Sequence, residues 1–267
     1  MSEKKFPFYF TLEDNLIHSE NVFDFNCNFF KVKINQREVI IGQCPKRFNK
    51  YDLKQIDDAI KNYKKFWNNH ELKEISLFFK KKKYLRLYEW LCVRILLKTG
   101  LLLYWKYGNF DLNVNPEKID LLKNQLNKPF IYLLIESNPD YIPFISISHS
   151  KKDVFIAICS SPIGIDCEVI SNHSIYWKKK VFSIQELETF FYQFKKLVHI
   201  PNDSIYTLMW SLKESALKIG NNISLGLISK ISIQLLDGCI ITKLIHTNQT
   251  YQGFFSFNQD SVLTLTI

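Results

Sequence analysis

Asp166 and Glu168 stand two residues apart in GIDCEVI (residues 164–170), a run that otherwise reads as a buried strand. Carboxylates in an apolar segment are costly unless something pairs with them. In a strand, residues i and i+2 project from one face, so the two acids point the same way. Like charges that close raise each other's pKa unless a cation lies between them. A hard divalent ion with oxygen ligands fits, above all Mg²⁺, which takes one or two carboxylates and keeps sites for phosphate oxygens. The plain alternative is a solvent-facing pair on an edge strand.

A second group lies in MWSLKESALK (residues 209–218). On a helix, Trp210, Lys213, Glu214, Leu217 and Lys218 fall at i, i+3, i+4, i+7 and i+8, which is one face. A core stripe would not mix two lysines and a glutamate with a Trp and a Leu. A metal-bridged polyphosphate site needs that mixture: the carboxylate completes the metal shell and the lysines neutralise phosphate oxygens. The competing account is a surface Glu214–Lys218 pair at i,i+4 beside a packed Trp210. Ser148 and His149, in SISHS at a strand end, form a third group able to donate to a phosphate. Lys128, in the turn NKPF, is a fourth.

Elements must hold these residues. The alternating FFKVKI and REVIIGQC read as antiparallel strands. From about Ser76 to Lys98 the period is helical: Leu85, Tyr88, Cys92 and Ile95 form an apolar stripe, Lys82 and Arg86 share another face, and Gly100 is the expected stop. FISISHS and DVFIAIC are expected to form a hairpin. Ser183 and Glu186 have capping-box spacing at the head of a helix. Another helix runs from about Ser204 to Ile219 and stops at Gly220. ISIQLLDGCIITKLI is a hairpin turning at Asp237-Gly238, and SVLTLTI is a closing strand. Strand, long helix and antiparallel strands thus occur twice, which predicts an α+β fold of two similar halves, residues 1–161 and 162–267.

The composition fits this picture. Of 267 residues, 46% are hydrophobic and 15% aromatic, enough for a substantial core, and the formal net charge of +9 calls for an anionic partner. The candidates are nucleic acid, a phosphorylated cofactor, an acidic protein or an anionic membrane. The most apolar stretch, WLCVRILLKTGLLLYW, is broken by Arg94, Lys98 and Gly100 and is not read as a membrane span. The six scattered cysteines and an N-terminus without an apolar core are read as reduced thiols in a cytoplasmic protein.

In order and spacing these motifs resemble the 4′-phosphopantetheinyl transferases of the larger, surfactin-synthetase-activating (Sfp-like) type. Asn127-Lys128-Pro129 is similar to the family's G-K-P, and ISISHS to F-N-x-S-H-S. IGIDCE matches G-[IV]-D-x-E, VFSIQEL an F-[SF]-x-x-E element, and WSLKESALK W-x-x-K-E-[AS]-x-x-K. Asn127 stands where the family has Gly, and Ser146 where it has Asn. The resemblance runs from about Asn127 to Gly226.

It implies a pseudo-twofold pair of α+β halves with coenzyme A in the cleft between them. The implied reaction moves the 4′-phosphopantetheine arm of coenzyme A onto a serine of an acyl or peptidyl carrier protein and releases adenosine 3′,5′-bisphosphate. Asp166, Glu168 and Glu214 would hold Mg²⁺, or Mn²⁺ in its place. Lys218 and Lys213 would neutralise the phosphates, and Lys82, Arg86, Lys128, Ser148 and His149 would hold the nucleotide. Glu214, Glu186 or a metal-bound water would accept the serine proton, and Glu186 has the capping-box reading beside that one. The implied partner is an acidic carrier, with no nucleic acid or membrane involved and the enzyme a monomer. Two other readings stand against it: another Mg²⁺-dependent phosphotransferase or nuclease, and a non-catalytic basic module that binds anions.

Overall fold

The computed structural model describes residues 9–22, 25–46, 53–108, 110, 114–125, 128–134, 142–220 and 225–267. The chain is α+β, with antiparallel sheets and long helices, and it divides into two compact units.

One unit takes in Glu13–Asn124 and Pro129–Ser161. Its elements are β1 (Leu16–Val22), β2 (Phe25–Ile34), β3 (Arg37–Pro45), α1 (Leu53–Asn62), α2 (Asn69–Lys80), α3 (Tyr84–Tyr107), β4 (Ile119–Lys123), β5 (Pro129–Leu133), β6 (Phe144–His149) and β7 (Asp153–Cys159). Five strands form an antiparallel sheet in the order β1-β2-β3-β7-β6, and β4 and β5 pair separately. The expected hairpin of FISISHS and DVFIAIC is β6–β7.

The single helix expected over Ser76–Lys98 is two helices, and the reason is local. Past the end of α2, Lys82 takes φ 53°, its N–H bonds Phe79 O, and the Lys83 N–H reaches back to Phe78 O. That pair of bonds is the Schellman closure, with a lysine at the left-handed position glycine usually holds. Lys82 therefore lies in the turn and shares no helix face with Arg86. Tyr88, Cys92 and Ile95 are buried as expected, but Leu85, in the first turn of α3, is 56% exposed.

Gly100 does not end the helix. It lies where α3 presses on the sheet: a Cβ there would fall 2.9 Å from the Cδ1 atoms of both Ile156 and Ile158. The helix runs on to Tyr107 and is capped at Gly108. Arg94 and Lys98, the charges that interrupt the apolar stretch, are buried and paired. Lys98 Nζ lies 2.5 Å from Glu71 Oε2, and Arg94 reaches Glu71 and Glu74. No helix among the described residues is long and apolar enough to cross a membrane.

The other unit comprises the described parts of Met1–Leu12, Gln125–Lys128 and Pro162–Ile267. It contains β8 (Gly164–Val169), α4 (Ile175–Val181), α5 (Ile184–Glu186), a π turn (Leu187–Phe191), α6 (Tyr192–Leu197), α7 (Asn202–Ile219), β9 (Ile231–Leu236), β10 (Cys239–Leu244), β11 (Gln249–Phe257) and β12 (Ser261–Thr266). The antiparallel sheet runs β8-β12-β11-β10-β9. Asp237 and Gly238 turn the β9–β10 hairpin with φ of 50° and 73°, positive at both central positions as a two-residue I′ turn requires.

The long helix α7 lies on β8 and β12, and one contact sets how close it comes. A Cβ on Gly164 would fall 1.8 Å from Ser215 O, a backbone atom that no side-chain rotation can move aside. Around this point helix and strand exchange hydroxyl contacts. Ser211 Oγ meets Thr264 Oγ1 and Ser215 Oγ meets Thr266 Oγ1, an i,i+4 pair on α7 facing an i,i+2 pair on β12. Replacing Gly164 with Ala forces α7 off the strand and should cost about 3 kcal/mol or more, the upper end for overpacking. Denaturant unfolding of Gly164→Ala against the unsubstituted protein measures it, and an unchanged midpoint would refute the close-approach reading.

Candidate metal and phosphate site

β8 presents Asp166 and Glu168 on the face that α7 covers, and α7 answers with Trp210, Glu214 and Lys218 at i, i+4 and i+8. Carboxylate oxygens of Asp166, Glu168 and Glu214, one from each residue, lie within 4.8 Å of one another. Asp166 is 2% exposed and is held at both oxygens. Lys218 Nζ donates to its Oδ1 at 2.8 Å and also to Ile165 O at 2.8 Å. Ser211 Oγ donates to Oδ2 at 2.8 Å. Trp210 Nε1 donates to Glu168 Oε1 at 3.4 Å, and its ring packs 5.2 Å from that of Trp177, on which His173 stacks at 3.9 Å.

Three carboxylates against one ammonium leave the cluster short of positive charge, and proton affinities register the deficit. Burial, then the neighbouring Asp166 and with a smaller push Glu168, lift Glu214 to about 7, against the opposing pull of Lys218. Burial and Asp166 also raise Glu168, despite the Trp210 hydrogen bond. A divalent cation would relieve both. The donors are all hard carboxylate oxygens, a set that suits Mg²⁺ or Mn²⁺ and not a thiophilic metal.

The face read from WSLKESALK is divided by the fold. Leu217 joins an apolar cluster with Ala216, Ile228, Ile231 and Leu244. Lys213 is wholly buried, and its Nζ lies 2.7 Å from Glu186 Oε1 and 3.0 Å from Oε2, and donates to Val181 O. Glu186 also forms the capping box with Ser183 and accepts the Ile233 N–H at 3.2 Å. The capping-box reading of Glu186 is the one its contacts support. Lys213, expected to meet phosphate, has its ammonium paired with Glu186 in the interior.

Lys128 Nζ donates to Ile219 O at 2.9 Å, capping the last carbonyl of α7, and burial lowers its pKa. Its neighbour Asn127 lies outside the described residues. Ser148 is buried and His149 exposed at the end of β6, Arg86 is exposed in the first turn of α3, and Lys82 is exposed in the turn before it. Those four belong to the first unit. Residue spacing gave no warning of Ser211, Thr264 or Trp177. Ser211 and Thr264 lie 53 positions apart and meet only when α7 is seated.

No protein-family model matches the chain. Over 119 residues it is 34% identical to the 4′-phosphopantetheinyl transferase gsp of Aneurinibacillus migulanus. The aligned stretch is 45% of this chain and 45% of that relative, so the chain covers less than half of the relative's length. The match supports the 4′-phosphopantetheinyl transferase superfamily.

Two outcomes follow from the charges. Glu186→Ala leaves Lys213 buried without its partner and should cost about 3–5 kcal/mol in urea unfolding. A Glu186 that acted only as a base would instead lose activity at unchanged stability. For Glu214, the folded carboxyl holds its proton to about 7 while the unfolded one releases it near 4.5. Without metal, stability therefore falls as pH rises through that window. Glu214→Gln removes the titration. In chelator it should be more stable than the unsubstituted protein by roughly 2–3 kcal/mol at pH 8, with the difference closing by pH 4.5. Paired unfolding curves at the two pH values check it, and an equal difference at both would refute it.

Proposed function

We propose that the chain transfers the 4′-phosphopantetheine arm of coenzyme A to a serine hydroxyl of an acyl or peptidyl carrier protein. The observation that carries this reading is the convergence of Asp166, Glu168 and Glu214 beside Lys218, on the motif residues that resemble the superfamily's. The partial likeness to a named 4′-phosphopantetheinyl transferase also supports it.

In this reaction the serine oxygen bonds to the β-phosphorus of coenzyme A, the bond from that phosphorus to the bridging oxygen breaks, and adenosine 3′,5′-bisphosphate leaves with that oxygen. Asp166, Glu168 and Glu214 would hold Mg²⁺, which supplies charge stabilisation at the pyrophosphate oxygens. Lys218, whose side chain retains some solvent exposure, adds a fixed positive charge at the same place. With Glu186 engaged by Lys213, Glu214 is the carboxylate proposed to accept the serine proton. Lys82, Arg86, Lys128, Ser148 and His149 are proposed nucleotide contacts on the strength of the resemblance. The net charge of +9 favours an acidic carrier and acts chiefly on the rate of encounter.

The test is incubation with coenzyme A, MgCl2 and a panel of apo carrier proteins, scoring by mass the gain of one phosphopantetheine arm. The expected gain disappears in excess chelator and falls at least about 100-fold in Asp166→Asn, which keeps an acceptor for Ser211. No gain on any carrier, with phosphate transfer or nucleic-acid cleavage that needs Asp166, would favour the alternative phosphotransferase or nuclease.

A further inference from the structure

The hydroxyl chain behind Asp166 has a direction. A serine hydroxyl has one proton, and that of Ser211 goes to Asp166 Oδ2 at 2.8 Å. The 2.8 Å contact between Ser211 and Thr264 must then run the other way, with Thr264 Oγ1–H donating to Ser211 Oγ. Thr264 lies directly across from Asp166 in the β8–β12 register. The chain Thr264 to Ser211 to Asp166 thus leaves one strand, passes through the helix above, and ends on the residue beside its start. All three residues are buried, so water does not substitute for a lost member.

We propose that Ser211, oriented by Thr264, is a positioning residue. With Lys218 already on Oδ1, it holds Asp166 Oδ2 as a hydrogen-bond acceptor, so that the carboxylate cannot turn both oxygens fully to one cation and the trio discriminates Mg²⁺ from Ca²⁺. The proposal rests on the reading of Asp166, Glu168 and Glu214 as metal ligands. Mg²⁺ demands compact, near-octahedral coordination and takes carboxylates one oxygen at a time, whereas Ca²⁺ is larger and readily accepts both oxygens of a carboxylate. A charge-assisted hydrogen bond on Oδ2 pins the plane of the carboxylate and lowers the electron density of that oxygen. The bidentate mode, the one that favours Ca²⁺, is thereby weakened. Partners that orient a ligand in this way are worth about 10- to 100-fold in metal affinity.

Isothermal titration of the full chain with MgCl2 and, separately, with CaCl2 tests this without any turnover. In Ser211→Ala, Mg²⁺ affinity should fall about 10- to 100-fold. Ca²⁺ affinity should fall less, so that the preference for Mg²⁺ narrows by about tenfold. Ser211→Thr keeps the donor and should keep the preference. Thr264→Val, which cannot donate to Ser211, should shift the ratio in the same direction by a smaller factor, and it decides the matter if Ser211→Ala does not fold. A folded Ser211→Ala with the unsubstituted ratio overturns the positioning role, as does an unchanged ratio in Thr264→Val where that variant decides. If Mg²⁺ binding in that experiment is still lost in Asp166→Asn, the metal reading survives alone. No saturable Mg²⁺ binding by the unsubstituted protein would overturn both.

Discussion

The missing side chain of Gly164 is the constraint on which the candidate site depends. It lets the backbone of α7 come down on β8 until Ser215 O occupies the space of a Cβ. At that separation Ser211 and Ser215 reach the threonines of β12, and Glu214 and Lys218 reach the acids of β8. A helix one side-chain layer higher would leave these hydroxyls buried without partners, at about 1–3 kcal/mol each, and would separate the carboxylates that converge. The seating of the helix and the assembly of the charged cluster are one event.

Within that frame the two lysines of the KESALK segment have different fates. Lys213 turns inward to Glu186, which ties the π-interrupted helix to α7 and, through the Ile233 N–H, to β9. Lys218 stays at the edge and shares its charge between Asp166 and Ile165 O. A buried pair such as Lys213–Glu186 contributes little net stability but is costly to break from one side, so it fixes the arrangement more than it strengthens it. The same logic operates in the first unit, where Glu71 gathers Lys98 and Arg94 between α2 and α3.

What could be read from the sequence was what short-range periodicity encodes. The i,i+2 acids of β8, the i,i+4,i+8 series of α7, the Ser183–Glu186 capping box and the Asp237-Gly238 turn need only their own neighbours. The break at Lys82 was hidden because a lysine occupies a position where glycine is the usual signal. Gly100 looked like a helix stop because its role is defined by Ile156 and Ile158, more than fifty residues away. The Glu186 partner of Lys213 was hidden for the same reason, being set by the packing of a different helix. Asn127, which stands where the family has Gly, falls outside the described residues.

The place of β12 has a bearing on how the protein is made. Among the described residues β8 has its sheet partner only in β12, and their paired ends, Val169 and Ser261, are separated by roughly ninety residues of chain. At a synthesis rate of about 5–20 residues per second, β8 leaves the ribosome on the order of 5–20 s before the strand that completes it. During that interval Asp166 lacks Thr264, and an apolar strand edge stands open to any neighbouring chain. The two acids on β8 keep charge on that nascent edge. Residues suited to holding a cation in the finished protein would thus also discourage intermolecular strand pairing while it is still being built.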